Sequence, residues 1–229
     1  MKTLGLIGGL SWFSTAVYYA TINRLVNEQL GGLHSARILL YSVDFCDIKT
    51  LQEADDWPQI ETTLSGIARK LEKAGAEAIV ICSNTPHIVA DTIRPKIGIP
   101  LLHIAEATAE EIVKQKIEKV GLLGTRFTME NPFFKDRLAV HGIETIIPGR
   151  REMEFVHDAI FKEFTKGVFK DETRKRYREI MENMQHDGAR GIVFGCTEIS
   201  LLLKPEECDF PVFDTAAIHC RAAVEFALQ

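Results

Sequence analysis

Short apolar runs alternate with longer amphipathic stretches along the whole chain. The runs are rich in β-branched residues, which favours strands, and they span 4–7, 38–43, 78–82, 100–104, 120–123, 143–147, 192–194 and 211–213. Helical periodicity lies between them, at 14–30, 57–73, 105–115, about 131–140, 152–164, 172–185 and 215–228. Residues 44–52 are predicted as a loop and 124–128 as a turn. Strands that alternate with helices predict parallel sheets with right-handed crossovers, an α/β fold.

The second half of the chain repeats the first. Segment 75–85 has the sequence Gly-Ala-Glu-Ala-Ile-Val-Ile-Cys-Ser-Asn-Thr, and segment 188–198 has Gly-Ala-Arg-Gly-Ile-Val-Phe-Gly-Cys-Thr-Glu. Two further pairs follow in the same order, 5–8 with 121–124 and 100–103 with 211–214. The repeat predicts two pseudo-symmetric lobes, each a parallel sheet flanked by helices, with the active site in the cleft between them. We expect residues 1–103 plus 215–229 in the first lobe and 104–214 in the second.

Composition narrows the class of protein. The chain has 229 residues, of which 46% are hydrophobic, so it can bury a sizeable core. Its net charge of −5 is spread out without a basic stripe, which argues against a nucleic-acid partner. No run is long enough to span a membrane, and the first apolar run is too short for the apolar region of a signal peptide, so we expect neither. The Gly8-Gly9 turn lacks both a dinucleotide fingerprint and a Walker lysine.

The cysteines indicate a reducing compartment. All five are widely spaced, at 46, 82, 196, 208 and 220, so no pair has the spacing of a zinc site or a redox motif. We therefore expect thiols without disulfides, no metal site and a cytoplasmic location.

Two of the predicted strands end in groups that can transfer a proton. The repeat aligns Ser83 with Cys196, each just beyond the carboxyl end of a buried strand, where parallel sheets place their ligands. Cys82 is an alternative to Ser83, but side chains alternate along a strand and the repeat aligns Cys82 with Gly195. Ser83 could also be a helix cap, and Cys196 a small buried apolar residue.

Equivalent groups in two similar lobes suit the inversion of a carbon stereocentre. One group removes a proton from one face of the carbon, and the other returns a proton to the opposite face. The residues after each strand, Asn84-Thr85 and Thr197-Glu198, are then candidates to stabilise the charge that develops on the substrate.

The chain resembles the cofactor-independent aspartate/glutamate racemase family along essentially its whole length. The resemblance is carried by the start into Gly8-Gly9 and by the segments 82–87 (Cys-Ser-Asn-Thr-Pro-His), 121–129 and 194–199 (Phe-Gly-Cys-Thr-Glu-Ile). Within that family the chain is similar to the bacterial racemases that are L-aspartate/glutamate-specific or of broad specificity. The resemblance implies an isomerase that needs no cofactor, acts on a small amino acid and forms a homodimer.

The resemblance also implies roles for particular residues. Ser83 and Cys196 match the catalytic pair, and the substrate shell is matched by Leu10, Gln52, Asn84, Thr85, Thr125, Thr128, Thr197 and Glu198. Most of the family has a second cysteine at the position of Ser83, while the similar racemases have a threonine there. Ile48 stands in place of an arginine, and Thr165-Lys166 has its lysine one place late, so strict aspartate preference is not expected.

Two other functions fit the same residues. A single thiol suffices for an arylmalonate-type decarboxylase or a maleate-type isomerase, which protonates a carbanion or adds to a double bond. A catalytically silent protein that binds a dicarboxylate or an amino acid is the alternative from another class.

Overall fold

Eight strands of the computed structural model, which describes residues 1–229, form two parallel sheets of four strands each. The strands are β1 (Leu4–Gly8), β2 (Ile38–Ser42), β3 (Ala78–Ile81), β4 (Leu101–Leu102), β5 (Lys119–Gly124), β6 (Glu144–Ile146), β7 (Ile192–Gly195) and β8 (Val212–Asp214). The first sheet has the order β2-β1-β3-β4 and the second the order β6-β5-β7-β8. The predicted α/β class with two parallel sheets is confirmed.

The two sheets belong to two separate units of the chain. Unit 1 comprises Met1–His103 and His219–Gln229 and contains the first sheet. Unit 2 comprises Ile104–Ile218 and contains the second sheet.

Helices connect the strands, as parallel pairing requires. They are α1 (Trp12–Leu30), α2 (Phe45–Glu53), α3 (Trp57–Lys73), α4 (Ala90–Ile93), α5 (Ile104–Lys114), α6 (Arg126–Glu130), α7 (Pro132–Val140), α8 (Arg150–Lys162), α9 (Asp171–His186), α10 (Ile199–Leu202) and α11 (Thr215–Leu228). Short 3₁₀ segments cover Thr85–Val89, Arg94–Lys96, Phe164–Lys166 and Pro205–Glu207. None of the helices has both the length and the hydrophobicity that a bilayer crossing requires.

The strand register confirms the internal repeat. In each sheet, the glycine that opens the repeated Gly-Leu motif pairs with the first isoleucine of β3 or β7. That isoleucine pairs in turn with a residue of the fourth strand, β4 or β8. The bridges are Gly5 with Ile79 and Ile79 with Leu101 in unit 1, and Gly121 with Ile192 and Ile192 with Val212 in unit 2. Ser83 and Cys196 each lie four residues beyond the equivalent isoleucine, so they occupy the same place in their sheets.

Burial on both faces explains why these short segments are strands. Every residue of β1, β3 and β7 is buried, which matches their continuous apolar sequences. In unit 1, α3 covers the sheet with Ile60, Leu64 and Leu71, which pack in one apolar cluster with Ile7 and Ile79.

The prediction of a loop at 44–52 is wrong, because α2 occupies this segment. Asp44 is its N-cap, and the side chain accepts a hydrogen bond of 2.9 Å from the amide of Cys46. The carboxylate of Asp47 in the first turn adds favourable charge at the positive end of the helix.

The prediction of a turn at 124–128 is wrong in part, because α6 begins at Arg126. The hydroxyl of Thr125 accepts the amide of Thr128 at 3.3 Å and so caps this five-residue helix. The helix ends before Pro132, which opens α7 as predicted.

Gly9 allows the chain to turn closely over the end of β1. Its φ is +78°, and a Cβ atom at this position would lie 2.1 Å from the carbonyl oxygen of Val43. Its amide donates a hydrogen bond of 2.8 Å to the hydroxyl of Thr15 on α1. The turn therefore needs a residue without a side chain.

We expect Gly9→Ala to lower the free energy of unfolding by about 3 kcal/mol or more, because strain and a backbone clash act together. Gly31→Ala is the matched control, since Gly31 has a φ of +72° and nothing within 4 Å of the added carbon. The control should cost only the strain, about 1 kcal/mol. Urea unfolding of both variants measures the difference, and equal losses would contradict a role for the clash.

Candidate active site

Cys196 and Glu198 form a buried pair just beyond β7. The thiol of Cys196 donates a hydrogen bond of 3.1 Å to Oε2 of Glu198. Only 9% of Cys196 and 4% of Glu198 is exposed. A thiol that donates to a carboxylate is protonated, so the pair can deliver a proton or, after ionisation, receive one.

The surroundings of Cys196 favour its neutral form. Burial raises the pKa of the thiol well above its usual value, and the negative charge of Glu198 and its hydrogen bond to the thiol act in the same direction. Asp214, at the end of β8, adds a smaller effect of the same sign. At neutral pH the thiol therefore holds its proton until a neighbouring group or a ligand changes this balance.

Two threonines from α6 and its cap lie at the neighbouring strand end. The hydroxyls of Thr125 and Thr128 are 3.2 Å apart, and both residues are buried, as is Thr197. Gly124 and Gly195 permit this packing, because a Cβ on either glycine would lie within 3.2 Å of Thr128. Unit 2 thus brings together all five residues predicted for it, and Thr197 and Glu198 directly follow Cys196.

In unit 1, Ser83 lies at the place equivalent to Cys196 and is partly exposed. Its amide donates to the carbonyl oxygen of Ile81 at 2.9 Å, which turns the chain sharply after β3. The interpretation of Ser83 as a helix cap is wrong, because Asn84 occupies the N-cap position of the 3₁₀ segment Thr85–Val89. Asn84 and Thr85 follow Ser83 and are both buried.

The other two predicted residues of unit 1 lie deeper. Leu10 follows the Gly9 turn, is 2% exposed and packs in the apolar cluster that also contains Ile48. Gln52 lies one turn beyond Ile48 on the same side of α2 and is also buried. The helix that the sequence pattern missed therefore positions Gln52.

Cys82 lies in a different environment from Ser83. It is fully buried, and its Sγ atom is 3.9 Å from the carbonyl oxygen of Val80. Burial raises the pKa of this thiol well above its usual value, with a smaller effect from Cys220. The five cysteines form no disulfide, and no three His, Cys, Asp or Glu side chains converge in an arrangement that could hold a metal ion.

Three buried histidines, His87, His103 and His219, belong to the same unit as Ser83. Nε2 of His219 is 2.9 Å from the carbonyl oxygen of Leu102 and Nδ1 is 2.9 Å from the hydroxyl of Tyr18. Burial lowers the pKa of His219 to about 4, so the ring is neutral at pH 7. Nε2 then carries the hydrogen, and Nδ1 accepts from Tyr18.

A known family of enzymes matches nearly the whole chain. The model of the Asp/Glu/Hydantoin racemase family matches residues 7–223. Among characterised relatives, the broad specificity amino-acid racemase RacX of Bacillus subtilis is 25% identical over 170 residues, which cover 74% of this chain and 73% of that protein.

Solved structures match over the full length. A candidate Asp/Glu racemase from Yersinia pestis is 52% identical, with a TM-score of 0.94 and 100% of both chains covered. An aspartate racemase homologue from Pyrococcus horikoshii is 34% identical, with a TM-score of 0.88 and the same coverage.

We expect Glu198→Gln to lower the pKa of Cys196, because the substitution removes the negative charge next to the thiol and keeps a hydrogen-bond acceptor. The rate of alkylation of Cys196 by iodoacetamide follows the thiolate, so its pH profile should shift to lower pH. Mass spectrometry of the peptide that contains Cys196 separates it from the other thiols. Glu206→Gln, which changes an exposed carboxylate of the same unit, should leave the profile in place; a shift in both variants would refute the local effect.

His219 should make the protein less stable in acid. Its pKa is about 4 when folded and near 6.5 when exposed, so the unfolded chain binds the extra proton between these values. Stability from this group is complete above pH 6.5 and falls by about 3 kcal/mol as the pH drops to 4. In urea unfolding, His219→Phe should lose this part of the pH dependence, whereas Tyr18→Phe, which keeps the imidazole, should retain most of it. An unchanged slope in His219→Phe would assign the effect elsewhere.

Proposed function

The chain belongs to the Asp/Glu/Hydantoin racemase family, and from this premise we propose that it interconverts the L and D forms of amino acids by two-base proton transfer at Cα, without a cofactor. Family membership makes the protein an isomerase. Aspartate and glutamate, or a broader set of amino acids, are the proposed substrates. The comparisons give no support to a single-thiol decarboxylase or isomerase, or to a silent binding protein.

The observation that carries the proposal is the equivalence of Ser83 and Cys196 in two sheets of the same register. Each side chain lies where parallel sheets commonly hold their ligands. Cys196 has a proton to give and a carboxylate partner that can hold it in position. Ser83 is partly exposed, whereas Cys82 is sealed in the interior, so Ser83 is the better candidate for the second group.

In the proposed reaction one of the two groups removes the Cα proton and the other returns a proton to the opposite face. Negative charge then develops on the substrate carboxylate. In the proposal, hydrogen-bond donors that follow each strand, on Asn84, Thr85 and Thr197, stabilise this charge, together with the hydroxyls of Thr125 and Thr128. Glu198 orients the Cys196 thiol and takes part in its proton exchange.

The proposed substrate range depends on the residues that would contact the far end of the substrate side chain. Ile48 offers no positive charge where the resemblance expects an arginine, and it is 1% exposed in an apolar cluster. Gln52, on the same face of α2, can donate to a neutral or an acidic group. We therefore propose a broader preference than aspartate alone, in line with the name of the relative from Bacillus subtilis.

We further propose that the protein is a homodimer in the cytoplasm. The absence of disulfides among five cysteines supports a reducing compartment. Leu40 and Tyr41 on the edge strand β2 are 45% and 37% exposed, and such an edge can be covered by a second copy.

Incubation of the protein in D₂O with a panel of proteinogenic amino acids, each as a single enantiomer, tests the proposal. We expect deuterium at Cα and loss of the circular dichroism signal of the amino acid with aspartate, glutamate or another member of the panel. Cys196→Ala should lower the rate at least 100-fold, because it removes one of the two groups. Ser83→Cys should raise it, since a thiol is a much stronger acid than an alcohol. Absence of exchange with every proteinogenic amino acid would falsify the function.

A further inference from the structure

His87 binds the backbone of Ser83 directly. Its Nδ1 lies 2.8 Å from the carbonyl oxygen of Ser83 and 3.3 Å from that of Asn84. Carbonyl oxygens only accept hydrogen bonds, so Nδ1 must carry a hydrogen and donate it. The amide of His87 also donates to the carbonyl oxygen of Asn84 at 3.0 Å. One residue thus fixes the backbone on which the Ser83 hydroxyl is mounted.

The ring of His87 is itself held by buried aromatic neighbours. Its centroid is 4.7 Å from the ring of His103 and 5.6 Å from the ring of His219, both in edge-on contact. His219 is fixed in turn by Tyr18 and by the carbonyl oxygen of Leu102. Only 1% of His87 is exposed, so its position is set by packing and not by solvent.

Unit 2 has a different contact at the equivalent place. Ser200 lies four residues after Cys196, as His87 lies four residues after Ser83. The hydroxyl of Ser200 donates to Oδ2 of Asp214 at 2.6 Å. Asp214 follows the bridge residue of β8 by two positions, as His103 follows that of β4. In both units, a side chain that follows Ser83 or Cys196 by four residues therefore contacts a residue at the end of the fourth strand, and we call each contact a tether. The tether is a ring contact between His87 and His103 in unit 1 and a hydrogen bond between Ser200 and Asp214 in unit 2.

Asp214 makes the second tether rigid. Its Oδ1 atom accepts the amides of Ala216 and Ala217, at 2.9 and 3.1 Å, at the start of α11. Ser200 belongs to α10, and the amide of Ile199 beside it donates to the carbonyl oxygen of Cys196 at 3.1 Å. The hydrogen bond of Ser200 therefore lies about one helical turn from Cys196.

We propose that His87 and Ser200 are matched positioning residues, His87 for Ser83 and Ser200 for Cys196, and that each controls proton transfer from its own side of the substrate. The inference rests on the proposed racemase function. Neither residue takes a proton from the substrate, since both act through the backbone of the group they hold. Loss of either tether misplaces one acid and leaves the other in place.

Loss of one tether and loss of the other should change the exchange and inversion of different enantiomers in D₂O. If Ser83 is misplaced, the enantiomer whose proton Cys196 removes still exchanges it with solvent and regains it on the same face. Its ratio of exchange with retention to inversion therefore rises. The other enantiomer loses exchange and inversion together. If Cys196 is misplaced, the effects on the two enantiomers are reversed.

We expect His87→Leu to raise the exchange-to-inversion ratio at least five-fold for one enantiomer, and Ser200→Ala to do so for the other. His87→Asn, which keeps a donor near the Nδ1 position, should restore a near wild-type ratio. If His87→Leu does not fold, His87→Gln replaces it, because its amide lies at the Nε2 position and leaves the Ser83 carbonyl without its donor.

A uniform loss of rate for both enantiomers with an unchanged ratio would mean that the tethers are only structural, and would overturn the inference. So would a rise for the same enantiomer in both variants. If the wild-type protein neither exchanges nor inverts any amino acid, the proposed function fails first, which separates the two outcomes.

Discussion

The constraint on which the rest depends is the register of the two inner strand pairs, β1 with β3 and β5 with β7. Side chains alternate along these largely buried strands, so a slip by one residue would turn every side chain to the other face of the sheet. The register therefore determines which residue emerges at each carboxyl end. Ser83 and Cys196 are equivalent because Ile79 and Ile192 hold equivalent bridges, and not because their own chemistry is similar.

Much of this architecture could be predicted from the apolar runs. Helices α3 and α11 have the predicted bounds, and in α3 a strongly periodic apolar face marks the helix from end to end. The pattern of apolar residues does not reveal helices α2 and α6 because both are short, and the side-chain caps Asp44 and Thr125 mark their starts. Asp44 and Thr125 are residue types that favour the N-cap position, and they are the sequence signal for both helix starts.

The candidate site was predicted in part only. Its members at strand ends follow from the repeat, but the support behind them depends on contacts that sequence spacing does not reveal. Tyr18 and His219 are 201 residues apart and share a hydrogen bond. Only the coordinates show that His87 donates to the carbonyl oxygen of Ser83. The substrate roles of the shell residues remain predictions.

The two units differ in the charge that lies near Ser83 and near Cys196. Cys196 faces the carboxylates of Glu198 and Asp214, which keep the pKa of the thiol high. Ser83 is supported instead by imidazoles, and the pKa of about 4 keeps His219 uncharged at neutral pH. An alcohol is already a weak acid, so a carboxylate behind it would make ionisation harder still. An imidazole that fixes the backbone of Ser83 places no carboxylate beside the alcohol, which gives a physical reason why the two units differ at this place.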